Sequence, residues 1–380
     1  MTDEKINIIK SNKFRLLYIL TYAPVGIICP LIGQYLDYIG FSGTQIGIVT
    51  AVGTTASIPA GLIWGKIYAE CNHGKRVVAM LCIMAATFAL ISLSISTFIL
   101  FTIVYAFIFF FQGPVMGLCD AMVMEEKLEF STIRLFGSVG YALAVFAGGR
   151  IGESLGLKYI FVLYAAIFFL AGIIALSIHE IQHKGFERKK LEGKYPRLLK
   201  EKRYIKMLVS GFFIIGANVA NNTYFGFLYR DGGGTIAGIG FVFFLMTLSE
   251  APFMRIAPRL AKKVTPEKLI LYAMIISIAR YFWFSTGPSS ELLTAFFFVQ
   301  GIVNGFILVE FIKCLSKHVK EDLVGIAMPT FYSVTTGSTI ICNYFGGIML
   351  DQYGSMGVYA FFTVYSLLGL LSYLTFKLYK

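Results

Sequence analysis

The sequence predicts an all-α polytopic membrane protein with twelve transmembrane helices in two pseudo-symmetric six-helix bundles. Three observations carry this. The 380 residues are 57% hydrophobic and only 14% charged, with a mean hydropathy of +0.73. Val77 to Cys119 contains no Asp, Glu, Lys or Arg, and at about 1.5 Å per residue it is long enough to cross a hydrocarbon core of about 30 Å twice, turning near Leu93 to Phe98. Basic residues recur on alternate sides as the apolar segments are counted off. In lipid, backbone polar groups must be satisfied inside the segment, so these spans read as helices.

Twelve segments follow in order, approximately 14–36, 44–66, 77–94, 97–120, 134–154, 159–179, 204–228, 235–256, 268–286, 291–313, 322–350 and 356–376. The first reads as a retained helix, because it ends in "DYIGFSG" without a small-residue cleavage site. Even-numbered loops and both tails hold Lys5, Lys10, Lys13, Lys75, Arg76, a run from Lys184 to Lys206, Arg259, Lys262, Lys263, Lys317, Lys320, Lys377 and Lys380; odd-numbered loops hold little beyond Arg150, Lys158 and Arg230. Both termini are therefore expected on the cytoplasmic side of a plasma or inner membrane. The net charge of +12 is thus a topology signal, and no nucleic acid partner is expected.

The polar stretch "HEIQHKGFERKKLEGKYPRLLKEKRYIK" divides six segments from six. It predicts an N-terminal bundle over 1–180, a basic loop over 181–203 and a C-terminal bundle over 204–380. The halves also resemble each other. "FAGGRIGESLG" (146–156) superposes on "YFGGIMLDQYG" (344–354) at an offset of 198, with Glu153 on Asp351; "IPAGLIWGK" superposes on "APFMRIAPR" at an offset of 193, with Pro59 on Pro252. Two matches at nearly equal offsets indicate a repeat, and such repeats build transporters that rock about a midplane site.

Several segments carry a resemblance to a known family. "GIICPLIGQYLDYIGFSGTQIGIVTA" is similar to the first two helices of the major facilitator superfamily branch that contains phenylpropionate permease, proton-coupled nucleoside permeases and lactose permease relatives. "GLCDAMVM" with "IRLFGSVGYA" resembles the fourth and fifth helices, "LSEAPFM" the eighth, "IARYFWF" the ninth and "VQGIVNG" the tenth. The resemblance implies a monomeric secondary active transporter for a small solute. One segment departs: the loop after the second helix reads "GKIYAECNHGKR", with Ala69 where the family carries Asp, so Glu70 is the available acid.

Ionisable groups within membrane helices cost about 2.5 to 3.5 kcal/mol on insertion scales and default to function. Glu250 lies about 22 Å into the eighth helix from its outer end, where a carboxylate can be charged in one state and neutral in another. Arg280, near the middle of the ninth, cannot shed its proton and needs a partner; Glu250 is the simplest one, and the two are candidates for proton coupling. Asp120 and Arg134 form an expected gate or ion pair in the N-terminal half. Glu310 and Lys313, three apart on the tenth helix, are expected to bridge along one face. Amides at Gln112, Asn218, Asn222, Gln300 and Asn304 suit a solute bearing hydroxyls or a base. Tyr18 and Tyr22, four residues apart, are candidates for stacking on a ring.

Other chemistry is not indicated. The cysteines have no paired spacing, so neither disulfides nor a metal site is expected. The four histidines, His73, His179, His183 and His318, fall at helix ends, which argues against a membrane-embedded enzyme. "GGG" at 232–234 lacks the residues of a phosphate loop. No cofactor is expected. The leading expectation is a proton-coupled symporter, with a nucleoside, sugar or aromatic acid as solute; the alternatives are a proton-driven exporter and a non-transporting sensor.

Overall fold

The computed structural model describes residues 3–71, 73–126, 128–178 and 194–377. Most of the central loop, with His179 and His183, lies outside these residues. Among the described residues every regular element is helical: α1 Asp3–Tyr38, α2 Gly43–Glu70, α3 Gly74–Ser92, α4 Phe98–Glu125, α5 Phe130–Ser154, α6 Tyr159–Ser177, α7 Lys202–Asp231, α8 Ile236–Val264 and α9 Pro266–Phe284. A single turn, Lys194–Leu198, precedes α7. The tenth segment, α10, runs in pieces: Ser290–Ala295, Phe298–Phe306, a π-helical turn at Ile307–Phe311, and Ile312–Lys317. The last stretch, Glu321–Lys377, is broken at Gly354 (φ 67°) into α11 and α12.

Nine of these stretches are long and apolar enough to cross a membrane on their own. One of the nine, Gly325–Thr375, is two spans joined back to back. Together with α9, which carries Glu267, Lys268 and Arg280, and the interrupted α10, they make the twelve expected spans. The expected bridge on α10 is present, with Lys313 donating to Glu310 at 3.1 Å. Glu70 pairs with Lys66 of its own helix at 3.9 Å, both side chains being more than half exposed, and such pairs contribute little.

The chain groups into two compact units. The first comprises residues 1–41, 52–187 and 235–244; the second comprises 42–51, 188–234 and 245–380. Each therefore contains one end of a helix whose remainder lies in the other. In the first unit, α1 and α5 cross closely, because a Cβ at Gly26 would lie 2.5 Å from the Tyr141 carbonyl oxygen. Small residues permit such approaches where lipid removes the hydrophobic drive for helix association. In the second unit α7 meets α11 in the same way, Gly216 facing Ser338, and Tyr204 on α7 donates to the Ala327 carbonyl at 2.8 Å.

The exchanged helix ends are held by equivalent contacts. In the first unit, a Cβ at Gly240 of α8 would lie 2.6 Å from the Val145 carbonyl oxygen, and one at Gly149 2.9 Å from the Gly240 Cα. In the second, a Cβ at Gly47 of α2 would lie 2.5 Å from the Asn343 carbonyl oxygen and 3.0 Å from the Gly347 Cα. Glu153 accepts the Ala237 N–H at 2.6 Å, at the start of α8. Asp351 accepts the Gly43 and Thr44 N–H groups at 2.6 and 2.7 Å, at the start of α2. Gly156 and Gly354, which follow these acids, both have positive φ, at 112° and 67°. Val145/Asn343, Gly149/Gly347, Glu153/Asp351 and Gly156/Gly354 are each separated by the offset of 198, and Gly47/Gly240 by the offset of 193. The repeat in the sequence is thus a repeat of contacts: a carboxylate satisfies free N–H groups at a helix start, one turn beyond a glycine-on-glycine crossing.

Candidate functional site

Four helices of the second unit bring one polar cluster together. Asn218 comes from α7, Glu250 from α8, Arg280 and Tyr281 from α9, and Gln300 and Asn304 from α10. The last two are four residues apart in the Phe298–Phe306 piece and so share a face. Asn304 donates from Nδ2 to Glu250 Oε1 at 2.5 Å. Asn218 donates from Nδ2 to Asn304 Oδ1 at 2.6 Å. Arg280 then donates from Nη2 to Asn218 Oδ1 at 3.3 Å, where the Tyr281 hydroxyl and Gln300 Nε2 also converge, each at 3.5 Å.

The amides are consequently ordered head to tail. Each carbonyl faces towards Arg280 along the path and each NH2 towards the acid, the arrangement in which every donor along it meets an acceptor. A direct Glu250–Arg280 pair is the simplest expectation from the sequence, but no ion pair joins them; two amides, from α7 and α10, stand between. Arg280 is only 4% exposed. Its nearest ring is Tyr281, 4.7 Å from Cζ to the centroid, which offers a cation–π contact but no counter-charge.

The cluster is incompletely satisfied. Arg280 Nε and Nη1 and Gln300 Oε1 are buried without hydrogen-bond partners. Each such group costs about 1 to 3 kcal/mol, and more when charged. A fold retains that cost where a ligand supplies the missing partners, and here it would meet two cationic donors and an amide acceptor side by side.

The first unit holds a second polar cluster. The Tyr18 hydroxyl donates to Asp120 Oδ1 at 2.5 Å, and Arg134 donates to Asp120 Oδ2 at 2.9 Å. Both carboxylate oxygens are therefore engaged, and the expected Asp120–Arg134 pair is formed. Tyr18 and Tyr22 stack on each other, with centroids 5.8 Å apart and planes at 13°. Arg134 lies over the Tyr22 ring at 5.9 Å and over Phe130 at 5.6 Å. Tyr18 is completely buried, whereas Tyr22 is only partly so.

The remaining amides divide. Gln112 is 5% exposed and its carbonyl accepts the Tyr164 hydroxyl at 2.5 Å, which ties α4 to α6 within the core. Asn222 is half-buried and lies outside the hydrogen-bonded path from Glu250 to Arg280. Its neighbour Asn221 accepts the Tyr359 hydroxyl at 2.9 Å and joins α7 to α12. Sequence reasoning missed Tyr281. Its adjacency to Arg280 in "IARYFWF" is the only signal, and adjacency on a helix does not ordinarily mean contact.

Comparison with known proteins gives a consistent result. The profile of the MFS_1-like family matches residues 12–361. Maltose permease of Geobacillus stearothermophilus is 27% identical over 374 residues, covering 95% of this chain and 93% of its own. The putative nucleoside transporter YegT of Escherichia coli is 22% identical over 340 residues, covering 85% and 78%. Among solved structures, that of the nucleoside transporter NupG superposes with a TM-score of 0.85 at 18% identity, covering 97% of this chain and 99% of that one.

Proposed function

The chain belongs to the MFS_1-like family of the major facilitator superfamily, whose members are membrane transporters, and we propose that it is a proton-coupled symporter importing a small hydroxyl-bearing solute. The observation that carries this reading is the hydrogen-bonded path Glu250–Asn304–Asn218–Arg280. It joins the acid to the arginine across four membrane helices.

The path works as a relay because amides are reversible. When Glu250 is ionised it accepts from Asn304, and the order of carbonyls places an acceptor, Asn218 Oδ1, against Arg280. When Glu250 takes a proton it becomes a donor. Asn304 then turns its carbonyl towards the acid, Asn218 turns to follow, and an NH2 faces the guanidinium. Arg280 is left without its acceptor and turns to the solute. Solute affinity therefore depends on the protonation of Glu250, and differential affinity is what coupling requires. The unpaired Arg280 nitrogens and Gln300 Oε1 suit the vicinal hydroxyls of a sugar or nucleoside. The similarity to a maltose permease and to a putative nucleoside transporter supports that class. Both termini on the cytoplasmic side of the cell membrane, and a monomer as the working unit, complete the reading.

The test is uptake into proteoliposomes with maltose, uridine and an aromatic carboxylate as probe solutes. An inward proton gradient should drive accumulation of a hydroxyl-bearing probe, and collapsing the gradient should abolish it. Efflux driven by the same gradient would make the protein an exporter. Accumulation indifferent to the gradient would reject proton coupling.

A further inference from the structure

The far end of α10 holds a group of side chains that the transport path does not use. Cys314 and His318 are one helical turn apart on the Ile312–Lys317 piece and its cap, and Glu267 reaches them from the first turn of α9. Among the described residues, these three present ligand atoms that all lie within 4.8 Å of one another. Cys314 Sγ is 4.0 Å from Glu267 Oε1 and 3.7 Å from His318 Nδ1. Metal–sulfur bonds of about 2.3 Å and metal–nitrogen or metal–oxygen bonds of about 2.0 to 2.1 Å at a tetrahedral angle need ligand separations of about 3.6 Å. The sulfur–nitrogen separation already meets this, the sulfur–oxygen separation exceeds it by about 0.4 Å, and the oxygen–nitrogen separation falls within the 4.8 Å that bounds all three.

From this geometry we infer that Glu267, Cys314 and His318 form a binding site for a divalent transition metal of the zinc class. The donor set, one thiolate, one imidazole and one carboxylate, is that of a borderline-soft ion and ill-suited to Mg2+ or Ca2+, which take oxygen ligands. Three protein ligands leave a fourth position to water. Binding converts the Cys314 thiol to a thiolate–metal bond and releases its proton to solvent.

The support around the site is already built. Cys314 is 2% exposed, while Glu267 and His318 are half-exposed, so an ion can enter from one side. Tyr373 on α12 donates to the Glu267 carbonyl at 2.9 Å and anchors the start of α9. His318 Nδ1 lies 2.7 Å from the Cys314 carbonyl oxygen; ligation through Nδ1 exchanges that contact for the metal. A bound ion would staple the start of α9 to the end of α10, the helices that carry Arg280 and Asn304. It would sit on the far side of the π-helical turn Ile307–Phe311 from Asn304, a feature that often marks functional segments. The site itself does not depend on the transport reading.

The test is Co2+ titration of the purified, tag-free full-length protein in a Cys71→Ser background, followed by competition with Zn2+. That background removes the thiol that lies 3.4 Å from the His73 amide. The expected result is a thiolate-to-cobalt charge-transfer band that Zn2+ displaces. Cys314→Ser should abolish it, and Glu267→Gln and His318→Gln should each weaken binding at least tenfold while the protein elutes as a single helical species. Absence of the band, or a band that survives Cys314→Ser, would overturn the proposal. The two variants that keep the thiol serve as the check should Cys314→Ser fail to fold, since undiminished binding in both would overturn it equally.

Discussion

Replacing Asn304 with alanine is the perturbation that interrogates the relay most sharply. The substitution removes the donor to Glu250 and the acceptor of the Asn218 amide in one step. A hydrogen bond to a charged group is worth about 1.5 to 3 kcal/mol, so the loss corresponds to about 10- to 150-fold in any equilibrium that depends on it. The relevant equilibrium is the coupling between protonation and solute affinity. It is read as the ratio of gradient-driven accumulation to solute counterflow in the same proteoliposomes, because counterflow needs alternating access but no proton gradient. Asn304→Ala should keep counterflow and lose most of the gradient-driven gain. Asn218→Ala should do the same, and the double variant should be no worse than either single one, since a path broken once cannot be broken again. Additive losses, or an Asn304→Ala protein that accumulates solute as the wild type does, would refute the relay.

Further outcomes are expected elsewhere. Gln112→Ala should lower the thermal midpoint with little change in solute KM, because Gln112 is occupied by Tyr164; Gln300→Ala should raise KM and lower the midpoint less than Gln112→Ala, as Oε1 has no internal partner to lose and Nε2 makes only the long 3.5 Å contact to Asn218. Gly47→Leu should impair folding or transport, because even a Cβ would lie 2.5 Å from the Asn343 carbonyl oxygen and overpacking costs about 1 to 3 kcal/mol; expression and uptake measured together report it. Asp351→Asn removes the charge at the start of α2; with charges at helix starts worth about 0.3 to 1 kcal/mol, it should lower the thermal midpoint modestly, and Glu153→Gln should match it if the two halves are equivalent.

Much of the architecture was legible because membrane helices announce themselves by length and apolarity, and because the internal repeat preserved residues with backbone roles. Glu153 and Asp351 stood out as aligned acids, and the structure supplies the reason, since each satisfies the N–H groups at a helix start. The members of the C-terminal cluster were also visible, as a few polar side chains in apolar surroundings. Their wiring was not. A helix that is apolar on most of its circumference carries little information about which way it faces, so Gln112 and Gln300 read alike, as did Asn218 and Asn222. Glu250 and Arg280 lie on consecutive helices, which makes a direct pair the simplest reading; Asn218 and Asn304 come between them from the flanking helices α7 and α10, and apolar helices carry no signal of which faces converge. Cys314 and His318 were passed over for a related reason. Their one-turn spacing becomes a ligand set only when Glu267 arrives from α9, and no local pattern announces that.

The central claim, that Glu250 carries the coupled proton, is tested most directly by recording proton movement itself. Proteoliposomes loaded with a pH-sensitive dye and given the transported probe solute, with no imposed gradient, should acidify inside as solute enters. Glu250→Gln, which cannot ionise, should still exchange solute by counterflow while producing no acidification. Solute-driven acidification that persists in Glu250→Gln would contradict the account and place the proton elsewhere.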